Sequence, residues 1–150
     1  MLRNQDRLYR TALAITRSKT DAEDAVQDTF VKLLQKQPKF NSPEHETAWL
    51  IRVTVNLCKN TLRKQKPSQL LEDYPAQDPV SHELMETVMS LPPKYRLVIH
   101  LYYYEGYATK EIAAMTKQKE GTVREQLTRA RRLLKKYLLE EENQEEGEEL

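Results

Sequence analysis

Apolar residues recur along this chain at intervals of three and four, and strict alternation is scarce, so the pattern predicts an almost entirely helical protein. A first helix over 3–16 places Leu8, Tyr9, Ala12, Leu13 and Ile15 inward. Thr20 stands three residues before Glu23 ahead of an apolar series, which predicts a capping box and a second helix running to Gln37, before Pro38. Its inward positions are Ala22, Ala25, Val26, Phe30, Leu33 and Leu34; Asp21, Asp24, Gln27 and Asp28 remain outside as an acidic, amide-bearing stripe. Ser42 followed by Pro43 predicts a third start, with serine capping and proline at the first helical position, where its missing N–H costs nothing. That helix extends to Gln65 with Trp49, Leu50, Val53 and Leu57 inward.

Beyond it, Pro67, Pro75 and Pro79 lie among polar residues and read as a linker. Its fourteen residues, 67–80, reach about 46 Å when fully extended at ~3.3 Å each. A second helical group follows. It comprises a helix over 81–90, a turn at Pro92 and Pro93, a helix to Tyr104, a left-handed stop at Gly106, a short helix over 109–115 and a long one over 122–139. In the long helix Val123, Leu127, Ala130 and Leu134 share one edge, while Arg124, Thr128, Arg129, Arg131, Arg132 and Lys135 spread over the rest. A short apolar turn leading into such a helix suits a helix-turn-helix laid on nucleic acid, although a solvated amphipathic helix has the same pattern. For the run Tyr102, Tyr103, Tyr104, core packing of one or two rings is favoured over base stacking, because successive helical residues point in different directions.

Charge sharpens this picture. The net +1 hides a tail, 140–150, with seven glutamates and no base; outside it, twenty-four bases face sixteen acids, or +8. The stretch 47–66 holds Arg52, Lys59, Arg63, Lys64 and Lys66 without an acid, whereas 67–90 holds Glu72, Asp73, Asp78, Glu83 and Glu86 without a base. On the third helix Arg52, Asn56, Lys59, Asn60 and Arg63 fall at offsets of 0, 4, 7, 8 and 11, a single face and a second cationic surface. The expectation is two anion-binding surfaces separated by an acidic connector.

Other chemistry finds little support. Cys58 is the only cysteine, which excludes an intramolecular disulfide, and His45, His82 and His100 are scattered, so neither metal nor cofactor is expected. No phosphate-cradling glycine loop occurs, and no histidine stands beside a plausible nucleophile, so no enzymatic activity is expected. The N-terminus lacks an apolar signal region and no run of some 18 apolar residues appears, pointing to a reducing cytoplasm.

Four stretches, in order, resemble bacterial RNA polymerase sigma factors of the extracytoplasmic-function class: DAEDAVQDTF at 21–30, AWLIRVTVNLCKNTLRK at 48–64, LPPKYRLVIHLYYYEGYATKEIA at 91–113 and GTVREQLTRARRLL at 121–134. The resemblance implies an all-α protein of two small helical domains. A sigma region 2-like bundle at 1–66 and a region 4-like helix-turn-helix domain at 81–139 are joined by a flexible linker at 67–80, with an acidic, disordered tail at 140–150. It further implies that Asp24, Gln27 and Asp28 meet the clamp helices of the largest polymerase subunit, and that the flap of the second-largest subunit is a further contact. Arg52, Asn56, Lys59, Asn60 and Arg63 would hold the melted minus-ten element, and the loop 39–46 lies where the family captures a flipped base. Thr122, Arg124, Glu125, Gln126, Thr128 and Arg129 would occupy the major-groove face at the minus-thirty-five element. An anti-sigma factor is implied as a partner.

The chain departs from the family at the turn between the last two helices, where Thr116, Lys117 and Gln118 replace the usual Leu-Gly-Ile. Ala108 and Lys119 stand where serine caps are usual, leaving Thr109 and a Thr122/Glu125 pair as caps, and Asn60 stands where aspartate is common. Two alternatives remain at this level: a stand-alone helix-turn-helix regulator, and a degenerate sigma-like helical interaction protein.

Overall fold

A computed structural model describes residues 4–64 and 82–148. All regular structure among them is helical: α1 (Gln5–Thr16), α2 (Lys19–Lys36), α3 (Pro43–Lys64), α4 (His82–Met89), α5 (Pro93–Ile99), α6 (Thr109–Thr116) and α7 (Glu120–Glu148). The predicted linker lies outside the described residues.

Helices α1, α2 and α3 pack mutually. Helix α3 buries Thr47, Leu50, Ile51, Thr54, Val55 and Cys58. That face is turned by about one residue from the expected one, leaving Trp49, Val53 and Leu57 half-buried at its margin. The turn follows from hydroxyls the apolar pattern ignores: Thr29 and Thr54 meet at 2.8 Å in the α2–α3 seam, and each donates to its own helix carbonyl four residues back. Phe40 packs edge-on against Trp49, bracing the loop ahead of α3.

Ser42 caps α3 as expected, its Oγ accepting from the His45 N–H at 3.1 Å. The start of α2 differs. Ser18, not Thr20, is the cap, accepting from the Asp21 N–H at 3.2 Å, because the helix begins at Lys19. Helix α7 likewise starts at Glu120, which places Thr122 and Glu125 inside it. The expected tail at 140–150 differs as well: the backbone stays helical through Glu148, since glutamate is a good helix former and no proline interrupts it.

The chain spends few glycines on its turns. Gly106 takes the left-handed conformation (φ 77°), but Arg17, Gln37 and Lys117 do the same just beyond α1, α2 and α6. Between Ile99 and Gly106 the last turn of α5 widens, with the Glu105 N–H bonding to the His100 carbonyl five residues back. Such an inserted residue re-aims the side chains after it.

The second helical group does not stand apart. Its buried residues, among them Leu91, Leu97, Val98, Leu101, Ile112, Val123 and Leu127, join those of α1–α3 in one continuous apolar core. Helix α5 packs on α1, and α6 packs on α3. This explains why Thr11, Ala12, Leu13, Ala14, Ile15 and Thr16 are all buried, a helix end covered on every side.

Candidate functional site

Three surfaces carry the residues expected to function. On α2, Asp24, Gln27 and Asp28 are all exposed, held there by the burial of Ala22, Ala25, Val26 and Thr29 on the opposite side. The stripe continues into two apolar residues the sequence reading did not assign to it: Val31, 47% exposed, and Leu34, 61% exposed. Val31 and Leu34 lie four and seven positions after Gln27, so the face is a mixed acidic and apolar strip. Helical spacing could have found both, but Leu34 was placed in the core because it follows Leu33.

On α3, Arg52, Asn60 and Arg63 are exposed, while Asn56 and Lys59 are half-buried. Lys59 is engaged: its Nζ donates to the Thr116 carbonyl at 3.2 Å, at the C-terminal end of α6. Desolvation pushes its pKa below the usual lysine value, and the neighbouring Arg63 and Lys117 charges add to the shift. An ammonium at a helix C-terminus meets the negative end of the helix dipole, which partly offsets that cost.

On α7, the second helix of the helix-turn-helix, burial of Val123, Leu127 and Ala130 turns Thr122, Arg124, Glu125, Thr128 and Arg129 to solvent. Two of these pair along the helix, Arg129 with Glu125 and Arg124 with Glu120 at 2.7 Å. The Glu120 carboxylate also accepts from the Thr109 hydroxyl at 3.0 Å, tying α6 to α7, and this bond, ahead of the Arg124 charge, holds its pKa low.

Gln126 differs from its neighbours. It is half-buried, with its amide donating to Gln118 Oε1 at 2.7 Å, while Gln118 donates to Thr116 Oγ1 at 2.9 Å. These three polar side chains fill the turn where the family's apolar residues would sit. Lys117 supplies the left-handed residue in place of glycine. Ala108 precedes α6 without a side-chain cap, and Glu111 compensates by accepting from the Ala108 N–H at 3.1 Å.

The tyrosine run divides. Tyr102 packs against the core; Tyr103, 59% exposed, accepts a hydrogen bond from Arg131 Nε at 2.6 Å; Tyr104 stacks on His100 with Arg10 over its other side. Among the described residues no cluster of His, Cys, Asp or Glu could hold a metal, and no helix is long and apolar enough to cross a membrane.

The Sigma-70 region 2 family matches residues 1–67, and the Sigma-70, region 4 family matches residues 81–134. The chain is 31% identical to the ECF RNA polymerase sigma factor SigM of Mycobacterium tuberculosis over 144 residues, covering 91% of this chain and 74% of that protein. The chain belongs to the extracytoplasmic-function sigma factors. Its function is promoter-directed transcription initiation as an RNA polymerase sigma factor. Another relative is SigE of Mycolicibacterium smegmatis, 34% identical over 149 residues; that alignment takes in 89% of this sigma factor and 58% of the longer relative. Among solved structures, the sigma factor RpoE of Bartonella quintana, determined with the anti-sigma factor NepR, shares the fold with a TM-score of 0.74 at 24% identity, covering 91% of this chain and 92% of that one. With both sigma regions matched in order, neither the stand-alone regulator nor the degenerate interaction protein is favoured.

Proposed function

We propose that this sigma factor docks on core RNA polymerase through the exposed strip of α2, reads the minus-thirty-five element with α7 and holds the melted minus-ten strand on α3. The observation that carries this reading is the presence, in one chain, of two exposed cationic helical faces, on α3 and α7, with a separate acidic and apolar strip on α2. Asp24 and Asp28 would pair with clamp-helix cations while Val31 and Leu34 bury beside them, and Gln27 would add hydrogen bonds. The flap of the second-largest subunit would meet the helix-turn-helix group.

Arg124 and Arg129 carry the chemistry to bridge guanine O6 and N7 in the major groove, with Thr122, Glu125 and Thr128 beside them. Gln126, bound to Gln118, acts by fixing α7 against the turn unless its amide is released. On α3, Arg52, Lys59 and Arg63 attract the phosphate backbone and Asn56 and Asn60 hydrogen-bond base edges, offsetting the unstacking cost of the open strand. The chain performs no covalent chemistry, works in the cytoplasm and is restrained by an anti-sigma factor, as family membership suggests. Run-off transcription with purified core polymerase over a promoter library tests the reading. Transcripts dependent on the chain are expected; no association with core and no transcript from any template would overturn it.

A further inference from the structure

Two sets of DNA-reading residues that must act far apart lie in direct contact. Minus-ten and minus-thirty-five elements are separated by about 25 base pairs, or about 85 Å along B-form DNA at ~3.4 Å per pair. Yet Lys59 of the minus-ten set bonds the last residue of α6, and α6 is tied to the reading helix α7 through Thr109 and Glu120. No rigid motion of this closed form can lay α3 and α7 on both elements at once.

The strongest link holding it closed is Arg96. This residue, on α5, is only 4% exposed. Its Nε donates to the Ala14 carbonyl and its Nη2 to the Ile15 carbonyl, both at 2.6 Å, while Nη1 reaches the Leu91 carbonyl at 2.7 Å and Met89 at 3.4 Å. Ala14 and Ile15 lie in the final turn of α1, whose carbonyls have no partner within the helix. The guanidinium fork therefore caps one helical group from within the other, at the end where the helix dipole favours a cation. Every listed acceptor of its N–H groups is a backbone carbonyl. Burial and the nearby Arg17 charge bring its pKa down to about 10, so it stays charged at neutral pH in a costly setting. Around it, Arg7 of α1 pairs with Glu105 at 3.0 Å, and Thr11 meets His100 at 3.2 Å. Opposing these bonds, Lys59, Arg63 and Lys117 bring like charges together where α3 meets α6.

We propose that the free chain is held in a self-inhibited closed form by Arg96 acting as a latch on the C-terminal carbonyls of α1, and that polymerase docking releases it. This rests on the two-element promoter reading above. The latch suits reversible opening: every bond it makes can be replaced by water on both sides, and separation relieves the cationic crowding at α3 and α6.

The test is a distance measured in the full chain. Nitroxide labels on Lys64→Cys and Ala114→Cys, both exposed positions at the ends of α3 and on α6, report the separation by pulsed electron resonance. Cys58, fully buried with its thiol pushed up to about 12, stays unlabelled. The free chain should give one short, narrow distance that lengthens when core polymerase is added. Arg96→Met should raise the open-to-closed ratio of the free chain about tenfold or more, since hydrogen bonds to a charged group are each worth about that factor. Arg7→Gln, at an exposed site that threatens neither helical group, should raise it by a smaller step. Circular dichroism checks that each variant stays folded.

A long distance in the free wild-type chain overturns the latch. So does a wild-type distance distribution in folded Arg96→Met, or in Arg7→Gln should Arg96→Met fail to fold. A short distance that persists in a complex initiating at a promoter also overturns it. If the distances respond to Arg96→Met while the chain neither joins polymerase nor starts transcription, the latch stands and the promoter reading falls.

Discussion

Lys117 takes φ 56° just beyond α6, a left-handed conformation in which a Cβ crowds the following carbonyl. The backbone there satisfies carbonyls of the helix end, with the Gln118 N–H bonding to the Ala113 oxygen at 2.9 Å, so the conformation is imposed by the turn. Replacing Lys117 by glycine removes the steric cost, about 1 kcal/mol, and adds unfolded-state freedom that returns part of it. Lys117→Gly is therefore expected to stabilise the protein by up to about 1 kcal/mol, seen as a higher urea midpoint at unchanged slope. A lower midpoint would mean that the lysine side chain holds the turn. The cost of a non-glycine at this turn was legible in the sequence. The remedy was not: Gln126 reaches back over eight residues to Gln118, and nothing in residue type separates a glutamine that reads bases from one that braces a turn.

Helices were legible where local chemistry decides them. Apolar spacing and proline stops located each one to within a few residues, but where two caps compete the pattern alone chose wrongly at α2. Ser18 accepts from the Asp21 N–H, and Thr20 lies inside the first turn. Ser18→Ala should cost about 1 kcal/mol in chemical denaturation, while Thr20→Ala stays within about 0.5 kcal/mol. Equal losses would return the cap to Thr20. The same helix carries the proposed polymerase strip, whose acidic half is visible from sequence and whose apolar half is not, because Val31 and Leu34 read as core until the packing leaves them outside. Charge reversal at Asp24→Lys and Asp28→Lys together should weaken core-polymerase binding about tenfold or more, by turning attraction into repulsion without touching a buried contact. Retention of core enzyme equal to wild type, with unchanged circular dichroism, would remove α2 from the interface.

Across the whole molecule the least legible feature is the docking of the two helical groups. Its contacts join residues more than 50 positions apart, Lys59 with Thr116 and Ala14 with Arg96, and no periodicity encodes such a pairing. Each group alone is of a size at which folding is marginal, so a shared core makes them stabilise one another. Thermal unfolding should then be a single transition with matching calorimetric and van't Hoff enthalpies, and two resolved transitions would show that the groups fold independently. Salt gives a second handle with a definite sign. The seam between α3 and α6 gathers Lys59, Arg63 and Lys117, whose mutual repulsion is part of what lowers the Lys59 pKa. Screening weakens that repulsion, whereas the Arg96 bonds to carbonyls are buried and respond little. Raising ionic strength from about 0.05 to 0.5 M should therefore lift the melting temperature by about 2 °C, as expected if some 0.5–1 kcal/mol of repulsion is screened in a chain of this length. Lys117→Gln should flatten the dependence. A melting temperature that falls with salt would place attraction, not repulsion, at the seam, and the closed form would then be held by ion pairs instead of by the arginine on the carbonyls of α1.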